Sequence, residues 1–188
     1  MPLTDPQAIL LLLRHGNQLK RTARTGWVQR GVPQAENVAA HSYGVTFTAL
    51  VLAQLIPETV DLGKVLTLAV LHDLPEGLTT DIPTPAWRYL PPGIKASVER
   101  QAMHDILSEV DFAADLLALW EELQQNETVE ARLVHDADKL EMYLQAVVYA
   151  EQTGNSQLAE FWRKQHRFHF PAAQALYEAL HPGRVPPP

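Results

Sequence analysis

The sequence predicts an all-α protein of about six or seven helices. Apolar residues recur at intervals of three and four positions through most of the chain, which is the period of a helix with one buried face. Segments with the strict alternation and β-branched composition of strands are absent. The 188 residues are enough for a domain with a substantial core, and 46% of them are hydrophobic.

Seven segments carry the helical period, over residues 9–13, 45–56, 65–74, 94–107, 116–123, 129–148 and 158–170. Pro57 closes the second segment, and Gly154 marks a turn before the last one. Five prolines and two glycines between residues 75 and 93 predict a structured loop. We expect residues 1–180 to form a single domain and the Pro-rich tail, residues 181–188, to lie outside the packed helices.

The balance of charge argues against a nucleic-acid polymer as the partner. Lys and Arg number 15 and Asp and Glu 22, so the net charge is −7, and such a chain has no overall positive field for a phosphate backbone. A phosphorylated small molecule remains compatible, because one metal ion or one arginine can reverse the sign of the charge inside a pocket. The absence of cysteine excludes disulfides and thiolate ligands, so any metal ion must be held by His, Asp and Glu.

No segment predicts insertion into a membrane or export across one. The longest early apolar run is residues 8–13, which is too short for the core of a signal peptide or for a membrane span. We therefore expect a cytoplasmic protein with no membrane partner.

A His-Asp pair follows one of the most apolar segments of the chain. His72 and Asp73 come directly after residues 65–71, VLTLAVL, which predict a buried helix. A buried imidazole and a buried carboxylate must both find partners, since unpaired burial costs several kcal/mol. One divalent cation held by both would meet that need. The alternative is that Asp73 bonds to a neighbouring helix and His72 to a backbone carbonyl.

Two further segments offer ligands of the same kind. His41 lies in the first turns of a helix that follows the candidate caps Glu36 and Asn37. Asp136 and Asp138 lie two positions apart on a long predicted helix, so only one of them can face the core. The apolar stripe of that helix passes closer to Asp138; its members are Leu133, Val134, Ala137, Leu140, Tyr143 and Leu144. One imidazole, the His-Asp pair and a distant Asp would form a mixed nitrogen and oxygen site.

The order of these residues resembles that of the HD-domain metal-dependent phosphohydrolases. Residues 71–85, LHDLPEGLTTDIPTP, resemble the signature of the 5'-deoxynucleotidase branch of that family. Residues 24–27, 36–42 and 136–140 are similar to the same branch, and the likeness extends over roughly residues 19–151. The resemblance implies a single compact HD-domain helical bundle.

The resemblance also implies a centre for one divalent metal ion. Its ligands would be His41, His72, Asp73 and Asp138, with water and a phosphate oxygen in the remaining positions. Two imidazoles and two carboxylates suit Mn, Co, Fe, Ni or Zn better than Mg, which prefers oxygen ligands.

Two more acidic residues are implied as catalytic. Glu76 follows the His-Asp pair by one turn, within reach of the reacting water, and would act as the acid or base. The alternatives for Glu76 are a solvated loop residue or a cap for a short turn around Pro75. Asp81 would accept a hydrogen bond from the sugar 3'-hydroxyl or brace the site, and its alternative is a simple turn residue.

Substrate contacts are implied for Asp81 and for the segment before the first ligand. Arg24 can hold two phosphate oxygens, and Trp27 offers a flat wall against a deoxyribose. Gly26 stands where one bacterial form of the family has an arginine, so Lys20 and Arg21 are alternatives to Arg24 for the phosphate contact.

The implied reaction is hydrolysis of deoxyribonucleoside 5'-monophosphates to deoxynucleoside and phosphate. Two alternatives stay open: an HD phosphohydrolase for another small phosphate ester or nucleotide, and a non-catalytic module that binds a metal or a nucleotide. An acid such as Glu76 beside four ligands favours an enzyme. The resemblance further implies a homodimer, for which residues 116–120 or 147–149 offer apolar stretches.

Overall fold

The computed structural model describes residues 5–83, 86 and 89–181. Within these ranges the chain forms nine α-helices and one 3-10 helix, and the β structure found there is an isolated bridge between Ala23 and Asn37. The prediction of an all-α fold is therefore confirmed. In chain order, the helices are α1 (Pro6–Gln18), α2 (Thr25–Val28), α3 (Val38–Leu52), α4 (Leu62–Leu71), α5 (Glu76–Thr79), α6 (Ile94–Leu107), α7 (Ala113–Gln125), α8 (Val129–Thr153), the 3-10 helix (Ser156–Trp162) and α9 (Pro171–Leu180).

The seven longer α-helices match the predicted number. Each of them has ten residues or more, and the bounds of α6 are those that the apolar period predicts. Thr84 and Pro85 of the signature, and residues 182–188 of the predicted tail, lie outside the described residues.

Local capping explains where several helices begin and end. Asp5 accepts a hydrogen bond from the N–H of Gln7 through Oδ1 (3.0 Å), directly before a proline in the first turn of α1. The Thr128 hydroxyl caps α8 in the same way, accepting from the N–H of Ala131 (3.3 Å). Gly154 ends α8 in the left-handed conformation (φ 65°), which glycine adopts without a steric penalty. The predicted turn at Gly154 is therefore confirmed.

The chain divides into two compact units, of which the first comprises Met1–Ser42 and Val70–Glu121. Its core is built by residues of α1, α6 and α7 together with the ends of α3 and α4 that belong to this unit. The largest fully buried side chain in it is Trp120 (1% exposed). The prediction that residues 1–180 form a single domain stays a prediction.

The second unit comprises Tyr43–Ala69 and Glu122–Pro188. Gly44 of α3 faces Glu141 of α8 so closely that a Cβ atom at position 44 would lie 2.7 Å from the Glu141 Oε1 atom. A larger residue at position 44 would therefore require the Glu141 side chain to move. Tyr143 and Tyr177 pack against each other in the same unit, with their ring centroids 4.7 Å apart.

The last predicted helix is wrong in position. A helix was expected over residues 158–170. The structure has instead a 3-10 helix that ends at Trp162, and α9 begins at Pro171. The N–H groups of His169 and Phe170 donate to the carboxylate of Asp136 (3.0 and 2.9 Å). Because Asp136 satisfies these backbone groups and Pro171 is preorganised for a first helical turn, the segment before α9 needs no helix of its own.

None of the helices within the described ranges is both long enough and apolar enough to cross a bilayer.

Candidate metal centre

The His-Asp pair lies in the turn that connects α4 to α5. α4 ends at Leu71, and the N–H of Glu76 donates to the carbonyl oxygen of Asp73 (3.0 Å). The N–H of Leu78 donates to the carbonyl of Pro75 in the same way (2.9 Å). The turn is therefore tight, and the backbone leads directly from the pair to the predicted catalytic glutamate.

Three nitrogen atoms converge on one oxygen of Asp73. Its Oδ2 atom lies 3.2 Å from Nε2 of His72, 3.7 Å from Nε2 of His41 and 3.6 Å from Nη1 of Arg24. The two imidazole rings meet edge to face, with centroids 5.4 Å apart. The structure thus brings together four of the predicted site residues, which are contributed by three separate segments of the chain.

The electrostatics of Asp73 keep its carboxylate ionised. Burial opposes the charged form, but His72, His41 and Arg24 together outweigh it and hold the pKa of Asp73 well below its usual range. An ionised carboxylate beside two imidazoles is a set of ligands that divalent transition metals bind.

The geometry of this cluster fits one divalent cation. His41, His72 and Asp73 each offer one donor atom, and these atoms all lie within 4.8 Å of one another. The His41 side chain is completely buried, which is the position of an inner ligand rather than of a surface histidine. The cluster can therefore hold an ion from one side and leave other coordination positions open.

Glu76 is buried beside this cluster. It is 5% exposed, and among the described residues no hydrogen-bond donor meets its Oε2 atom. Burial, together with repulsion from Asp73 and Asp81, raises the pKa of Glu76 to about 9. The alternative in which Glu76 is a solvated loop residue is therefore wrong.

Asp81 holds the start of α2. Its Oδ2 atom accepts from the N–H of Thr25 (2.7 Å), and its backbone carbonyl accepts from the Thr25 hydroxyl (2.7 Å). Arg24 is the residue just before this helix, and its side chain reaches the cluster. Of the other basic candidates for the phosphate contact, Lys20 and Arg21 are exposed, and the Arg21 guanidinium donates to Gln18.

Trp27 lies inside the fold, with 2% of its surface exposed. Its indole Nε1–H donates to Oε1 of Glu36 (2.9 Å). We expected Glu36 or Asn37 to cap α3, and the structure assigns the cap to Asn37, whose Oδ1 accepts from the N–H of Ala40 (2.9 Å). The contact between Glu36 and Trp27 was missed, because two residues nine positions apart carry no sequence signal for it.

The two acids of α8 have the opposite burial to the one expected. Asp136 is 1% exposed, whereas the Asp138 side chain is 20% exposed and lies 2.8 Å from Nζ of Lys139. The apolar stripe predicted that Asp138 faces the core, and this prediction is wrong. Asp136 is buried instead, because the hydrogen bonds that it accepts from His169 and Phe170 offset the cost of burying its carboxylate. Asp138 as a metal ligand stays a prediction.

A run of positive charge precedes the cluster and was also missed. Between Asp5 and Glu36 the chain has no acidic residue. The same stretch contains five basic residues: Arg14, Lys20, Arg21, Arg24 and Arg30. In a chain of net charge −7 this asymmetry gives a local excess of positive charge to the segment that contains Arg24 and precedes His41. A count of charge by segment would have found it.

A helical fold that brings two imidazoles and an aspartate together beside a buried glutamate is the arrangement expected of a metal-dependent hydrolase. A profile of the HD domain family matches residues 16–176, and the chain therefore belongs to that family.

Curated relatives and a solved structure agree with this assignment. The chain is 34% identical to 5'-deoxynucleotidase HDDC2 of Danio rerio over 181 residues, which cover 94% of this chain and 88% of the relative. It is 35% identical to 5'-deoxynucleotidase HDDC2 of Homo sapiens over 147 residues (77% and 70%). A crystal structure of a protein from Pyrococcus horikoshii OT3 has a TM-score of 0.76 and 34% identity, over 93% of this chain and 96% of that chain.

Proposed function

We propose that this protein hydrolyses deoxyribonucleoside 5'-monophosphates to deoxynucleosides and phosphate. The observation that carries the proposal is the convergence of His41, His72 and Arg24 on one oxygen of Asp73, with the buried acid Glu76 one turn away. The substrate class comes from the names of the curated relatives, which are 5'-deoxynucleotidases. The run of basic residues before the cluster supports an anionic substrate.

His41, His72 and Asp73 would hold one divalent metal ion. Such an ion, when bound, supplies an acidified water and neutralises charge on the phosphate. The nitrogen and oxygen donors favour Mn, Co, Fe, Ni or Zn over Mg. Asp138 is proposed as the fourth ligand on the resemblance of the 136–140 segment alone.

Glu76 would transfer the proton that the reaction requires. Glu76 is buried, and no donor among the described residues meets its Oε2 atom, which supports the availability of this oxygen to the leaving group. A protonated carboxyl can donate to the sugar 5'-oxygen as the ester bond breaks, and the resulting carboxylate can then accept a proton from water.

Arg24 would hold the phosphate, because its guanidinium already reaches the ionised Asp73 and can pair with two phosphate oxygens. Asp81 and Trp27 are proposed to act by placing this arginine and shaping the sugar pocket. The hydrogen bonds from Thr25 to Asp81 and from Trp27 to Glu36 support that role.

The test is phosphate release from matched deoxyribo- and ribonucleoside 5'-monophosphates. Chelator-stripped protein would be supplied with each divalent metal in turn, and Asp73→Ala would serve as the control. We expect metal-dependent release from the deoxy series and none from the variant. Release from other phosphate esters but from no nucleotide would transfer the assignment to another substrate. Metal binding without release of phosphate from any substrate would show that the protein is a non-catalytic binding module.

We further propose that the enzyme acts in the cytoplasm as a homodimer. A chain without cysteine has no need of an oxidising compartment. The homodimer rests on the resemblance to the family. The stretches expected to supply its surface, residues 116–120 and 147–149, offer no exposed large apolar side chain, because Trp120 and Tyr149 are 1% and 7% exposed.

A further inference from the structure

Helix α3 carries an uncovered apolar face. Tyr43, Phe47 and Val51 occur every four residues along it and are 74%, 56% and 41% exposed. Leu55, just beyond the helix end, is 51% exposed. The three helical positions span about 80° of the helix circumference, so they share one side of it. We call these four residues the α3 face.

No charge interrupts the α3 face. Residues 42–57 contain no Asp, Glu, Lys or Arg, although these types make up 20% of the chain. The water-facing side of a helix in a monomer normally carries such residues. Exposed aromatic residues without neighbouring charge are instead typical of the centre of a protein interface.

We infer that a second copy of this chain covers the α3 face around a twofold axis. The inference names the surface of the homodimer, and it therefore rests on that part of the proposed function. In a twofold interface each patch meets its own copy, and an uncharged patch does so without repulsion. An acidic or basic partner would find no opposite charge along residues 42–57.

The exposed area is sufficient for such an interface. Tyr43 and Phe47 together expose roughly 260 Å², taking ~200 Å² for a whole aromatic side chain. Val51 and Leu55 add roughly 110 Å², taking ~120 Å² for a whole aliphatic side chain. Two copies then bury roughly 740 Å² of apolar surface. Because apolar atoms form about 60% of an interface, this apolar area corresponds to a total interface area of ~1,200 Å². A specific interface needs about 1,000 Å².

The other exposed leucine group serves as a comparison. On α1, Leu10, Leu11 and Leu13 are 48%, 44% and 62% exposed. Their positions spread over about 160° of the helix, and Arg14 follows directly. They form no single uncharged side, so they supply a matched control for substitutions on the α3 face.

The test is the solution mass by sedimentation equilibrium. We expect wild-type protein at twice the chain mass of 21.0 kDa. Phe47→Glu should raise the dissociation constant of the dimer at least about 100-fold. Leu13→Glu should leave it unchanged. Far-UV circular dichroism would establish that both variants are folded. If Phe47→Glu fails to fold, the double variant Tyr43→Ser, Phe47→Ser tests the same face without adding charge.

A cross-link tests the geometry independently. The chain has no cysteine, so Phe47→Cys introduces the only thiol, and two copies paired through the α3 face should form a disulfide-linked dimer on oxidation. A wild-type dimer that survives Phe47→Glu and forms no such cross-link would overturn the α3 face alone. A wild-type monomer would overturn the homodimer as well. Phosphate release by the same samples reports on the hydrolysis separately.

Discussion

At the scale of single residues, the centre depends on the Oδ2 atom of Asp73 and on the groups arranged around it. Nitrogen atoms of His72, His41 and Arg24 approach this oxygen within 3.7 Å and favour its ionised form. Glu76, by contrast, is buried, and among the described residues no hydrogen-bond donor meets its Oε2 atom. Its pKa is raised to about 9. Two carboxyl groups of one turn are thus suited to different tasks, the first to binding a cation and the second to carrying a proton.

The first prediction concerns Glu76. Glu76→Gln keeps the shape of the side chain and removes its exchangeable acid, so we expect kcat to fall by about 100-fold or more. The metal content, measured by elemental analysis, should equal that of wild type. Retained turnover would show that Glu76 is not the acid or base, and loss of the metal would show that it has a different role.

The second prediction concerns Glu36. Glu36→Ala leaves the buried indole N–H of Trp27 without its acceptor, which should lower the free energy of unfolding by about 1–3 kcal/mol. Glu36→Gln retains an acceptor oxygen and should recover most of that loss. Urea denaturation of metal-free protein measures both. Equal losses in the two variants would mean that the contact with Trp27 is not what stabilises this segment.

At the scale of helices, the buried carboxylate of Asp136 joins α8 to the start of α9. It accepts hydrogen bonds from the N–H groups of His169 and Phe170 and contacts Nδ1 of His169 at 2.8 Å. The segment before α9 is therefore fixed without helical hydrogen bonds. The neighbouring acid Asp138 has a paired, partly exposed carboxylate, so the two acids of α8 can be separated by experiment.

The third prediction compares these two acids. Asp136→Ala should lower the unfolding free energy of the metal-free protein by about 2–4 kcal/mol, because it leaves buried backbone donors unsatisfied. Asp138→Ala should change that stability by less than about 1 kcal/mol and should reduce the bound metal. If Asp138→Ala binds metal as well as wild type does, its proposed role as a ligand fails.

The fourth prediction concerns pH and His135 of α8. Burial lowers the pKa of His135 below 6.5, and its Nε2 atom lies 2.9 Å from the carbonyl oxygen of Leu123. Below pH 6.5 the unfolded chain binds a proton at this residue that the folded chain does not, so stability falls as the pH falls. The loss between pH 7.5 and 5.5 should be smaller in His135→Gln, by up to about 1.4 kcal/mol. Identical losses would exclude His135 as the titrating group.

At the scale of the whole molecule, the sequence was sufficient where the signal was periodic or local. The apolar period predicted an all-helical protein and the bounds of α6, because burial of one face is what fixes those residues. The spacing of His41, His72 and Asp73 predicted a cluster that the structure brings together. These features depend on chemistry within a few turns of helix or on a motif shared with the family.

The sequence was insufficient where distant contacts decide the outcome. The apolar period at residues 158–170 predicted a helix, but Asp136 binds that backbone from 33 positions away. The same contact buries Asp136, which a stripe drawn on α8 alone had placed away from the core. The buried indole of Trp27 depends in turn on Glu36, whose side chain had been considered only as a cap. In each case one side chain accepts a hydrogen bond from an N–H group that lies outside the side chain's own secondary-structure element.

The most direct measurement is a titration of chelator-stripped protein with Mn²⁺, in which bound metal and phosphate release from a deoxyribonucleoside 5'-monophosphate are followed together. We expect release to rise in proportion to occupancy of one site per chain. Asp73→Ala should show neither binding nor release. Full release from metal-free protein, or undiminished binding and release in Asp73→Ala, would contradict the assignment of the centre to His41, His72 and Asp73.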